Sequence, residues 1–292
     1  MPPMRTVRAA GLSLVTLLLG LAGCGSIVGH FTKPLMHDLT TSFMKQRDLA
    51  LAETGAPAFL LIIDGLIDHS PKNKALLLAG AQAYSAYGSA FVGEKDPERN
   101  KMLTDKAKEY ALRAMSLHSK KFAEVKDKPY ETFVTCLEDL GAKDVPYLFY
   151  TATCWAGWIQ AHSSDYDALS DLPKVQRLVE RVLELDERFY YGGPHLFMGV
   201  LLTIRPPAYG GKPEEAREHF EKAIRISGGK FLMDYVMYAK QYARLTYDRE
   251  LHDTLLKKVL ETPADIEPEL TLINTVAKKK ALELLNSADE YF

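Results

Sequence analysis

The stretch PEEAREHFEKAIRISGG, residues 213–229, decides the fold. Pro213 stands where a helix tolerates proline, in the first turn, where a missing N–H costs nothing. Ala216, Phe220, Ala223 and Ile224 recur at helical spacing, with Glu and Lys on the opposite face. Gly228-Gly229 supplies the stop. This is one amphipathic helix with small residues at two of its four inward positions, which lets a neighbouring helix approach closely.

Working outward, the same grammar recurs. Pro57, Pro146, Pro173, Pro194 and Pro268 each precede or open an apolar-periodic run. Val175, Leu178, Val179 and Val182 form another stripe, and Pro263 follows a further helix. Alternating strand patterns bounded by hairpin turns are missing. The reading is all-α, with helices over 34–53, 56–69, 72–92, 98–118, 130–139, 146–162, 173–186, 194–205, 213–227, 231–246, 248–261 and 268–289.

Most of these helices come in pairs. In a tetratricopeptide-like pair, helix A carries a small residue where helix B crosses it, with a large one three positions on. Helix A shows Ala81 with Tyr84, Ala152 with Trp155, Gly199 with Leu202, and Ala239 with Tyr242. Helix B shows Ala107-Ala111-Ala114, Val175-Val179-Val182, Ala216-Phe220-Ala223 and His252-Leu256-Val259, each at four and three residues' spacing. Spacings between the helix-A anchors are irregular, so insertions are expected near 92–104, 119–145 and 163–172. The expected fold is a degenerate tetratricopeptide-like α-solenoid; a plain helical bundle is the alternative. Stacked pairs bury one continuous core and leave a concave inner surface.

The N-terminus has a different character. Arg5 and Arg8 precede an apolar run from Gly11 to Leu21, too short for a membrane helix. The run ends in Leu21-Ala22-Gly23-Cys24, which resembles a bacterial lipobox. That resemblance implies cleavage before Cys24 and multiple acylation of it, which makes a stable anchor where one chain gives only marginal binding. An ordinary cleaved signal with an incidental cysteine is the alternative. Gly25 follows, and the inner-membrane retention Asp is absent, which favours the outer membrane. The expected organisation is a signal peptide over 1–23, a lipidated tether over 24–33 and a helical domain over 34–292.

Charge and composition narrow the function. The 292 residues are 47% hydrophobic and 25% charged, ordinary globular values. The net charge is −2, and loss of Arg5 and Arg8 leaves 34 basic against 38 acidic residues, or −4. No basic stripe offers itself to nucleic acid. The cysteines and histidines make no zinc-ligand spacing, so no metal or other cofactor is expected. Cys136 and Cys154 would meet an oxidising compartment; a disulfide and two buried thiols both stand as readings. Gly210-Gly211-Lys212 is followed by Pro213 and is no phosphate loop, GxSxG is absent, and no catalytic spacing emerges. His219, four residues after Glu215, reads as a surface pair.

Nine stretches together resemble the TatT family, the tetratricopeptide lipoproteins associated with tripartite ATP-independent periplasmic (TRAP) transporters. They are GAPAFLL (55–61), AQAYSAY (81–87), DLPKV (171–175), YGGPHLF (191–197), RPPAYGG (205–211), AREHFEKAI (216–224), ISGGKF (226–231), DRELH (248–252) and LTLIN (270–274). The resemblance implies a periplasm-facing outer-membrane lipoprotein and a homotrimer with openings through its subunits. It also implies association with a periplasmic substrate-binding protein of a TRAP transporter, and a role in binding or passing a ligand rather than catalysis. A helical-repeat scaffold for envelope assembly is the second function class; a periplasmic hydrolase is a third.

Counting from the four anchors places candidate concave-side residues. They are Leu78, Gln82, Ser85 and Ala86; Phe149, Thr153, Ala156 and Gly157; Leu196, Val200, Thr203 and Ile204; Val236, Lys240, Ala243 and Arg244. The last set brings two cations. On the Pro- and Gly-rich loop after 204, Arg205 and Tyr209 are expected to line an opening or an oligomer contact, with a purely rigid turn as the alternative. The expected site has an apolar body of Phe149, Thr153, Leu196, Val200 and Thr203 and a cationic end of Lys240, Arg244 and Arg205. It would suit an amphipathic organic acid. The alternative is a groove filled by a terminal helix, with Lys240 and Arg244 merely solvated.

Overall fold

The helix over Pro213–Ser227 (α7) forms as its sequence dictates. Glu214 and Glu215 sit in its first turn, Ala216, Phe220 and Ala223 are buried, and Gly228 ends it in the left-handed conformation with its N–H donating to the Ile224 and Arg225 carbonyls. A computed structural model describes residues 40–205 and 207–292. The signal peptide, Cys24 and the tether lie outside the described residues, as does the side chain of Tyr209. Among the described residues there is no strand.

Before α7 come α1 (Leu49–His69), α2 (Lys74–Tyr87), α3 (Pro97–His118), α4 (Val145–Ala161), α5 (Leu172–Asp186) and α6 (Phe189–Thr203). After it come α8 (Met233–Met237), which continues as a π-helical turn over Tyr238–Ala243, then α9 (Arg249–Glu261) and α10 (Thr271–Asn286). Each long helix packs against the one before and the one after it in the chain. In addition α2 touches α4, α4 touches α6, and α6 touches α8. The anchors explain how. Ala81, Ala152 and Ala239 are completely buried, and a Cβ on Gly199 would meet the Phe220 ring at 2.9 Å. Only small residues leave room for the crossing helix there.

Three apolar clusters follow one another along the chain. The first joins α1, α2 and α3; the second joins α4, α5 and the 119–145 insert; the third joins α7, α8, α9 and α10. Leu272 of α10 belongs to the first cluster, α10 touches α1, and Arg47 is ion-paired with Asp265. The first and last long helices therefore meet.

Several boundaries differ from the sequence reading. A break before 56 with Pro57 opening a new helix is not observed: α1 runs through Pro57. Asp48 caps it at the Ala50 and Leu51 amides, and Ala52, Ala56, Leu60, Ile63 and Ile67 form one buried face on both sides of the proline. Packing of that face outweighs the one lost hydrogen bond. The expected helix over 130–139 is short, Tyr130–Phe133, followed by a 3-10 turn. Residues 231–246 open at Met233 and widen into the π turn. The 119–145 and 163–172 insertions hold the short helices Lys120–Val125 and Tyr166–Ser170, whereas most of the 92–104 stretch is absorbed into α3. Cys136 and Cys154 are unpaired and belong to different clusters; the Cys154 thiol donates to the Ala81 carbonyl at 3.6 Å.

Candidate functional site

The π turn and the C-terminal end of α6 build the site. Lys240 and Gln241 lie in the π turn, Arg244 and Leu245 follow it, and Thr203 closes α6. With Pro207, Tyr247 and Tyr291 they surround a cavity of about 590 Å³. An extra residue in a helical turn shifts every later side chain around the axis, and such turns concentrate at functional sites. Tyr247 stands in the left-handed region at φ 57°, and the amide of Asp248 donates across it to the Ala243 carbonyl at 2.8 Å. A non-glycine residue held there stores strain at the mouth of the cavity.

Arg244 is the best-defined group. Its guanidinium lies 3.5 Å from the centroid of the Tyr291 ring, and Nη2 donates to Ser287 Oγ at 3.3 Å. Its Nε is buried and has no hydrogen-bond partner among the described residues. Stacking fixes the plane of the fork. Thr203 donates its hydroxyl proton within its own helix, to the Gly199 and Val200 carbonyls at 2.9 Å, so toward the cavity it can only accept. Pro207, Leu245 and the tyrosine rings supply apolar wall. A guanidinium beside apolar wall is an arrangement that can pair with a carboxylate and seat hydrocarbon.

Thus three of the residues expected from the sequence, Thr203, Lys240 and Arg244, share one cavity. Of the others, Phe149, Thr153, Leu196, Val200 and Arg205 are not among its described lining residues. Phe149, 5% exposed, sits in an aromatic cluster with Tyr150, Phe189 and Tyr190 at centroid distances of 5.4, 5.3 and 6.4 Å. That cluster is held by a strained turn, since Tyr190, Tyr191 and Gly192 are all left-handed at φ 46°, 59° and 83°. Thr153 donates to the Tyr150 carbonyl at 3.3 Å, and Leu196 and Val200 pack against the third core cluster. Arg205 is exposed on the loop that leaves α6. Gln241, Leu245, Tyr247, Pro207 and Tyr291 were not foreseen, because a 3.6-residue count cannot register a π turn or a partner 47 residues away.

A second polar cluster joins α6 to α7. His195 Nδ1 and His219 Nδ1 are 2.8 Å apart, His195 Nε2 is 3.3 Å from Glu187, and Lys222 is 2.6 Å from the same carboxylate. The expected surface pair of His219 with Glu215 is replaced by this contact, because α7 turns His219 toward α6. Burial lowers both histidines; His219, with His195 beside it, falls to about 4. Among the described residues no group of three or more His, Cys, Asp or Glu converges as metal ligands would.

Comparison with known proteins places this architecture. Among curated proteins no relative matches the chain. The family model described as the TRAP transporter T-component matches residues 45–292, which takes in every long helix and the cavity. A component of a TRAP transport system works at the cell envelope together with the rest of that system. An all-helical chain matched from Lys45 to Phe292 by that model belongs to the TRAP transporter T-component family.

Proposed function

We propose that this T-component is a non-enzymatic accessory that binds a small organic acid in the Arg244 cavity and passes it to the periplasmic substrate-binding protein of its TRAP transporter. On this reading residues 1–23 are a cleaved leader and Cys24 carries the acyl chains. The helical domain then faces the periplasm from the outer membrane as a homotrimer. The order of contacts, each helix on its neighbours and α2–α4–α6–α8 in succession, supports a degenerate tetratricopeptide-like solenoid.

The observation that carries the ligand reading is the stacked guanidinium of Arg244, with a buried unpartnered Nε, beside Lys240 in a 590 Å³ cavity with apolar walls. Titration calorimetry of the mature protein against aliphatic and aromatic carboxylic acids tests it. An acid that binds should bind at least about tenfold more weakly to Arg244→Ala, a loss of about 1.4 kcal/mol. Absence of binding across the panel, or binding by the Arg244→Ala and Lys240→Ala variants as tight as by the native protein, would discard the site. Pull-down from envelope extracts addresses the partner: recovery of a TRAP substrate-binding protein supports this reading, and recovery of assembly or cell-wall proteins supports an envelope scaffold.

A further inference from the structure

An exposed apolar surface lies on α1. Leu51, Leu61 and Ile62 are 56%, 71% and 53% exposed, and Ala58 is exposed between them. At 100° per residue these side chains, with Gly55 and Gly65, form a strip about 120° wide. It is opposite the face of Ala52, Ala56, Leu60, Ile63 and Ile67 that the core uses. Nothing stands within 4 Å of the positions a Cβ would take on Gly55 or Gly65, so the strip is smooth and open. An 18-residue window of α1 has mean hydropathy 1.6 with 28% of it buried. The core grips one side of the helix, so it cannot span a bilayer; its other side is exposed among the described residues.

The strip's polar members are the exposed Thr54 and, at its C-terminal end, His69, with the exposed Asp68 at its edge; the other carboxylates are kept off it. Asp64 is drawn to the far side, where Lys106, Tyr84 and Tyr110 all donate to it, and Glu53 pairs with Lys95 at 3.7 Å. The helix contains no Lys or Arg. The chain outside the described residues ends at residue 39, ten positions before α1, and contains Cys24.

We propose that the outward strip of α1 lies flat on the lipid bilayer, its apolar side chains entering the boundary between headgroups and acyl chains. The proposal rests on the reading of Cys24 as lipid-anchored. Acyl chains on Cys24 hold α1 within about 90 Å of the bilayer even at full extension. Tethering makes the contact intramolecular, so a weak interfacial helix suffices. A second copy is a poorer occupant. A 21-residue helix is about 32 Å long and exposes roughly 300 Å² on one face, well short of the roughly 800 Å² per partner of a stable interface. Lacking Lys and Arg, the strip binds through apolar burial, so added salt leaves the contact unchanged.

The test uses the acylated mature protein in vesicles of phosphatidylethanolamine and phosphatidylglycerol. Leu61→Cys carries an environment-sensitive fluorophore; Cys136 and Cys154 are buried and escape labelling. Tyr166→Cys, at a site 87% exposed, is the control. The expected result is a blue shift at position 61 and several-fold stronger quenching by nitroxide lipids than at 166, both insensitive to salt. Sedimentation of the protein with vesicles but equal quenching at both positions overturns the helix contact and leaves the anchor standing. A blue shift that follows protein concentration instead of lipid quencher assigns the strip to a second copy and overturns it too. Failure to sediment with vesicles removes the anchor and this proposal together.

Discussion

At the residue scale, Asp234 is a group whose ionisation the fold resists. It is completely buried beside the Gly228-Gly229 turn, its Oδ2 accepts from Ser227 at 2.8 Å, and its Oδ1 has no partner among the described residues. Burial pushes its pKa up to about 8, and the Ser227 hydrogen bond offsets only part of that. The folded state therefore holds a proton that the unfolded chain, near 3.8, has released. Stability from this proton is fully present below about pH 4 and is lost as pH rises through about 8. The slope approaches about 1.4 kcal/mol per pH unit inside that window. Asp234→Asn keeps the shape and an acceptor for Ser227. Urea denaturation across pH 5–7 is expected to show this slope in the native protein and its absence in the variant; equal slopes would mean that Asp234 is ionised when folded. Legibility divides sharply at this scale. Lys240 and Arg244 could be counted from Ala239 because both follow on one helix, and they share the cavity. Tyr291 could not, since nothing local marks a ring that stacks on Arg244 across 47 residues, and His219 was assigned to Glu215 by spacing while its contact is across a helix interface.

At the scale of the element, the crossing of α6 and α7 depends on one missing methyl. A Cβ on Gly199 would come 2.9 Å from two Phe220 ring atoms, and that ring is completely buried and cannot yield. Gly199→Ala is expected to lose about 1–3 kcal/mol to overpacking, less up to about 1 kcal/mol recovered as helix propensity. Gly157 in α4 is the counter-example, with open space where its Cβ would stand. Gly157→Ala should gain about 0.5–1 kcal/mol. Denaturation midpoints at unchanged slope measure both, and a shared sign would refute the packing argument. The small-residue anchors were readable because a close crossing restricts side-chain volume at one position per helix. Other features were not readable. Pro57 marks a helix start in sequence, yet a continuous buried face carries α1 through it. The π turn over Tyr238–Ala243 breaks the period on which every helical count relies.

At the scale of the molecule, a linear stack would leave α1 and α10 as separate ends, each free to fray. Here Leu272 of α10 is 7% exposed inside the first apolar cluster, and Arg47 and Asp265 pair beside it. The ends are thus coupled, and the cavity gains from it, because Ser287 and Tyr291, which orient Arg244, follow directly from α10. Closure also fixes α1 from its inner side and leaves the apolar strip facing out. Removing the Leu272 side chain should therefore act at a distance along the chain. Leu272→Ala is expected to cost about 2–5 kcal/mol. Amide hydrogen exchange should quicken in α1 and α2 as well as in α10, while α4 and α5, which rest on a different cluster, change little. Exchange that quickens in α10 alone would show that the ends touch without supporting each other. The molecule would then behave as a row of neighbours instead of a closed one.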